Sequence, residues 1–142
     1  MVVKISYSLA VTNGDLVRLG SNFAVVWGID KLKQDLQLWI GERFGGDRFH
    51  PTMGSTLQDY IGSVITPRTD AAIQDEVMRV LENYHRVQTY GFKNNPRRYS
   101  LTELMESIDD VSVNITYDTV SVAVSVRTVA RDDALVSVSQ GV

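Results

Sequence analysis

From residue 111 onward, apolar and small polar side chains alternate: Val111, Val113, Ile115 and Tyr117, then, after Asp118-Thr119, Val120, Val122, Val124 and Val126. A period of two puts every second side chain on one face, so this stretch predicts two antiparallel strands with one apolar face that something else must cover. After the charged turn "ARDD", Leu135, Val136 and Val138 offer a further strand. An alternating strand at a sheet edge is also what β-augmentation uses, the main chain pairing with another chain's sheet.

The cover is predicted upstream, where the period lengthens. Ile29, Leu32, Leu36, Trp39 and Ile40 share one helical face, with Lys31, Lys33, Gln34, Asp35 and Gln37 opposite, and Gly45-Gly46 should end that helix. Ser55 and Gln58 have capping-box spacing ahead of Leu57, Ile61, Val64 and Ile65, a second helix stopped by Pro67. Ile73, Val77, Val80, Leu81 and Tyr84 predict the longest helix, from Thr69 or Asp70 to about Gln88, followed by a loop, "QTYGFKNNPRRY". Ser100 and Glu103 predict a short fourth helix presenting Leu101, Leu104, Met105 and Ile108. At the N-terminus, Val3, Ile5, Tyr7, Leu9 and Val11 alternate up to an Asn13-Gly14 turn, and Val17 and Leu19 resume, which reads as one β-hairpin. No internal repeat is expected.

The order strands, helices, strands predicts an α+β single domain over 1–142: a mainly antiparallel sheet with three to four helices packed on one face. Residues 1–28 form the N-terminal hairpin and lead-in, 29–110 the helical part and 111–142 the C-terminal strands. A chain of 142 residues buries about two-thirds of its unfolded surface in one core. No apolar run approaches the roughly 20 residues of a membrane span, and no signal-peptide core is visible. With no cysteine, disulfides, thiolate zinc sites and cysteine nucleophiles are excluded. A net charge of −3 gives no footprint for nucleic acid, and the basic "NNPRRY" reads as a solvated loop.

The most chemically loaded stretch is "WIGERFGGDRFHPTMGSTL", Trp39 to Leu57. Glu42 and Asp47 are the nearest thing to a glycosidase carboxylate pair, which must stand roughly 5 Å or 6.5–9.5 Å apart with one member kept protonated. Arg43 and Arg48 beside them would instead hold both ionised. Glycines that admit a second backbone, with an arginine fork at a helix end, fit docking better. His50 and His85 show no metal spacing, "GERFGG" lacks the Lys-Ser ending of a phosphate loop, and no serine sits in a nucleophile elbow. No cofactor or metal is expected, and Trp27 and Trp39 read as core anchors.

The run "GIDKLKQDLQLWIGERFGGDRFHPTMGSTLQDYI" resembles the baseplate wedge and sheath-initiator family of contractile phage tails, shared with the baseplate of type VI secretion machines. In that family a helix ends in Gly-Glu-Arg, followed by a proline and a glycine before the next helix; these map onto Gly41, Glu42, Arg43, Pro51 and Gly54. The long N-terminal hairpin and the insertion around 94–107 depart from a minimal member. The resemblance implies a non-enzymatic virion subunit, assembled in the host cytoplasm and present in several copies around a sixfold baseplate. Implied partners are other wedge proteins and hub, spike or tail tube proteins at the Glu42-Arg43 region. The tail sheath protein would pair with strands carrying Val122, Val124, Val126, Leu135, Val136 and Val138. No membrane or nucleic-acid partner is implied. Some members carry a lysozyme label, so a wall-hydrolysing tail enzyme using Glu42 is the alternative, and a free assembly chaperone a third reading.

Overall fold

A computed structural model describes residues 6–116 and 118–141, so Val3, Ile5 and Tyr117 of the expected strands lie outside the described residues. At the N-terminal end, Asn13 (φ 53°) and Gly14 (φ 80°) make the expected tight turn, but it joins only β2 (Val11–Thr12) to β3 (Asp15–Leu16). A second turn with Gly20 at φ 61° joins β4 (Arg18–Leu19) to β5 (Asn22–Phe23), while β1 (Ser8–Leu9) pairs with β6 (Val25–Val26) as a stem. The expected single hairpin is therefore a clover of three two-stranded ribbons.

Its centre explains the difference. Ala10 N donates to Ala24 O (2.9 Å), Val17 N to Ala10 O (3.1 Å) and Ala24 N to Val17 O (2.8 Å), a closed ring of hydrogen bonds among three residues spaced seven apart along the chain. Leu9, Leu16 and Phe23 recur one position earlier with the same spacing, and all three are exposed. Three seven-residue units thus satisfy one another's backbone at the junction. So short a recurrence of ordinary apolar residues is hard to distinguish from plain alternation.

Helix α1 (Gly28–Gly41) follows the predicted face, burying Leu32, Leu36 and Ile40. Helix α2 (Thr69–Asn94) buries Ile73, Val77, Val80, Leu81, Tyr84 and Gln88. Both cover one face of an antiparallel sheet ordered β7 (Met105–Thr116), β8 (Thr119–Thr128) and β9 (Asp133–Gly141). Val111, Val124 and Val136 stand in register across the three strands, and with Val120, Val122, Val126 and Ala134 they form the sheet side of the core.

The chain is α+β, but among the described residues there are two α-helices and four small antiparallel sheets, not three to four helices on one sheet. The two missing helices have local reasons. Ser55 does not cap: its Oγ donates to Ile40 O at 2.6 Å, and the Gln58 amide donates to Gly41 O at 3.1 Å. Both members of that capping box are drawn to the end of α1, leaving a single 3-10 turn, Leu57–Tyr60. At Ser100 half a capping box does form, Ser100 N to Glu103 Oε1 at 3.3 Å, but Met105 already pairs with Thr128 in the sheet. Strand pairing and the β-branched run beyond Met105 override the local helix signal.

Conversely, α2 runs six residues past Gln88, to Asn94. Tyr99 packs its hydroxyl end against the bare Cα of Gly91 and its ring edge-on to Phe92, 6.2 Å between centroids, so the glycine admits a neighbour without ending the helix. Trp39 packs edge-on against Tyr84 at 5.2 Å, whereas Trp27, expected in the core, is 45% exposed.

Candidate docking site

Helix α1 ends when Glu42 turns extended, φ −75° and ψ 142°. The chain loops through Pro51 and returns so that Arg43 and Ser55 form a parallel bridge, with Ser55 N donating to Glu42 O (2.8 Å) and Phe44 N to Ser55 O (2.9 Å). This return requires Gly54: its φ is +100°, and a Cβ there would stand 2.6 Å from Glu42 O and 2.8 Å from Arg43 C. The spacing from Glu42-Arg43 to Gly54 thus has an internal cause, a backbone knot at the end of α1.

Arg79 of α2 holds the knot. Its guanidinium donates to Gly54 O at 3.1 Å, pairs with Glu76 at 2.7 Å and lies 4.9 Å over the Phe44 ring. Glu76 in turn accepts Thr56 N at 2.8 Å. Burial pushes the Glu76 carboxyl up, but the hydrogen bonds from Arg79 and Thr56 outweigh it and hold the group below its ordinary range.

The side chains of Glu42 and Arg43 are left outside this knot. Both are exposed, and among the described residues neither makes an ion pair or side-chain hydrogen bond. Gly46 leaves room for the Glu42 carboxylate, since a Cβ there would lie 2.8 Å from its Oε1. Phe44, Arg48 and Phe49 are exposed on the same loop, Phe49 almost completely, and Pro51 sits in its exposed turn. Asp47 receives His50 Nδ1 at 2.8 Å and Phe49 N at 2.8 Å, and the hydrogen bond from His50 above all holds its carboxyl below the usual range. A carboxylate so held is a poor general acid.

Among the expected strand residues, Val122, Val124, Val126 and Val136 point into the core, Val138 is half-buried and Leu135 is 73% exposed. Their neighbours' main chain is the accessible part. Thr128 N donates to Asp132 O at 2.9 Å, and alternating from that bonded pair leaves the N–H and C=O of Leu135, Ser137 and Ser139 directed away from β8. Gln37 of α1 reaches Ser137 O at 3.5 Å, and no described strand lies beyond β9. At its end, Gln140 Nε2 donates to Gly41 O at 2.9 Å, the carbonyl that Gln58 also uses. The last strand and the Glu42 loop are therefore tied to one point.

Between α1, α2 and the loop lies a pocket of about 230 Å³. Lys31 Nζ (2.9 Å) and the Tyr84 hydroxyl (3.2 Å) both donate to Asp35 Oδ2, with Trp39, His50, Val87 and Tyr99 around them. Burial, then the Asp35 charge, push the Tyr84 phenol well above its ordinary value. Behind it Gln88 donates to Glu103 O (2.7 Å) and accepts Met105 N (2.8 Å). This network was not anticipated from the sequence; its only signal is Gln88 falling four residues after Tyr84 on the buried stripe of α2. Glu42 and Asp47 do not line the pocket, and among the described residues no cluster of three His, Asp or Glu side chains is placed to hold a metal.

No family profile matches the sequence, and neither does any curated protein. Among solved structures, the chain matches a candidate tail lysozyme from Geobacter sulfurreducens with a TM-score of 0.58 and 15% identity, over 80% of this chain and 89% of that one. At that identity the likeness is one of fold alone.

Proposed function

We propose that this chain is a non-catalytic baseplate subunit of a contractile tail or related injection device, docking on wedge or hub proteins through the Glu42-Arg43 loop and starting sheath assembly through β9. The observation that carries the reading is the main-chain edge of β9 at Leu135, Ser137 and Ser139, which no described strand pairs and of which Gln37 takes only Ser137 O, on a fold similar to that of a candidate tail lysozyme. An unpaired edge rich in apolar residues is an aggregation hazard unless a partner covers it. A sheath strand added there would complete the row of hydrogen bonds.

Deleting the chain after Arg131 would test this poorly, because Ala134 and Val136 belong to the core. Ser137→Pro is sharper: it removes an N–H that faces away from β8, a position where an edge strand tolerates proline. The variant should fold, enter baseplates and fail to nucleate sheath. Normal sheath growth on such baseplates would refute the template role. Arg43→Ala should leave the fold intact and lower incorporation into baseplates.

The name of the structural neighbour favours one other reading, wall hydrolysis with Glu42 as acid. Glu42→Gln keeps the shape and removes the acid, so an enzyme would lose turnover by orders of magnitude. The docking reading expects no turnover from either form.

A further inference from the structure

We propose that the pocket between α1, α2 and the 42–55 loop is a socket for an arginine side chain of a partner protein. The proposal rests on the docking reading above and names the chemistry by which that face recognises its partner. At about 230 Å³ the space is smaller than the roughly 300–1,000 Å³ of small-molecule sites, but it fits one large side chain. Buried anchors of this kind, arginine prominent among them, dominate interface energetics.

The lining selects the anchor. Asp35 receives Lys31 and Tyr84 on Oδ2, while its Oδ1 makes no hydrogen bond among the described residues. That lobe can accept from an incoming donor. Trp39 and Tyr99 supply aromatic rings and Val87 an exposed apolar rim. Aromatic and apolar side chains lining the same pocket as a carboxylate match a guanidinium, which stacks on rings and donates in its plane. An anion would meet Asp35, whose Lys31 partner is already engaged. An apolar side chain would strip water from Asp35 and leave Oδ1 unpaired, which is costly. A lysine would meet the carboxylate but gain less from the rings.

The test uses the full chain and N-acetyl-arginine amide, titrated while following the Trp39 indole and Tyr84 and Gln88 signals by NMR. We expect saturable shifts at these residues with a millimolar Kd, and binding about tenfold weaker for the neutral isostere N-acetyl-citrulline amide, the factor a lost charge-assisted hydrogen bond brings. Val87→Trp, which fills the rim without touching Asp35, should abolish the shifts while keeping the fold; Asp35→Asn should reduce arginine to the citrulline level. Absence of saturable shifts, or equal binding of the two amides, overturns the socket. If arginine binds and Arg43→Ala baseplates assemble normally while Val87→Trp baseplates do not, the Glu42-Arg43 contact fails and the socket stands; if both assemble normally, no partner uses the socket and it fails too. If arginine does not bind but Arg43→Ala blocks incorporation, the socket fails and docking stands.

Discussion

A methyl group added at Gly54 would press on Glu42 O and Arg43 C from a backbone already at φ +100°, so two independent penalties meet at one residue. Gly54→Ala should cost about 3 kcal/mol in urea unfolding, the sum of left-handed strain and a main-chain clash. A loss under about 0.5 kcal/mol would mean that the 42–55 return is loose and that Gly54 does not set it. Glu103 makes the opposite prediction. It is 1% exposed, and burial raises its carboxyl above the ordinary 4.5. Because the folded form holds its proton more tightly than the unfolded chain, stability falls as pH rises from the unfolded value through the raised folded one. Glu103→Gln keeps the acceptor for Ser100 N and removes that loss. The variant should melt higher than the parent at pH 7 and no higher at pH 4; an equal difference at both would tie the effect to packing alone.

Elements were legible where one pattern ran long enough to dominate. The 3.6-residue stripe of Ile73, Val77, Val80, Leu81 and Tyr84 and the alternation of Val120 to Val126 both became the elements they announce, because each buries a continuous face. Short signals failed where tertiary partners competed for the same atoms. Ser55 and Gln58 bond to the carbonyls of Ile40 and Gly41, and that contact was invisible without knowing that the chain returns to the end of α1. Likewise the motif from Gly41 to Gly54 was visible, while its cause, a backbone knot, was not. Gly91 is the converse, read as part of a loop but lying within α2 against Tyr99. In an ordinary helix Gly→Ala gains about 1 kcal/mol. Here the added Cβ collides with Tyr99, so Gly91→Ala should destabilise the parent but stabilise a Tyr99→Ala background by about that helical increment. Additive effects in this double-mutant cycle would mean that Tyr99 does not constrain the end of α2.

On the scale of the molecule, what matters is that contacts distant in sequence converge on the C-terminal carbonyl of α1. Gly41 O receives Gln58 from the loop and Gln140 from β9, 99 residues away, while both amide oxygens are buried without a partner. Helix carbonyls at a C-terminus lack intrahelical donors, so both glutamines fill vacancies that α1 creates. The bond from Gln140 also holds the end of β9 in place, which an exposed last strand otherwise lacks. Gln140→Ala should therefore leave global unfolding nearly unchanged but raise amide exchange at Val138 and Gln140, whose N–H groups face β8, by about tenfold, the consequence of losing roughly 1.4 kcal/mol of local protection. Exchange at Ala123 and Ser125 of β8, whose N–H groups face β7, should not change. If β8 loosens with β9, the sheet opens as one unit, and the edge cannot be freed or occupied independently of the core. If only β9 responds, the strand that would meet a partner is adjustable at its end while the helices and the other two strands stay fixed, and that separation lets one subunit grip its neighbours at the Glu42 loop while its last strand accommodates another.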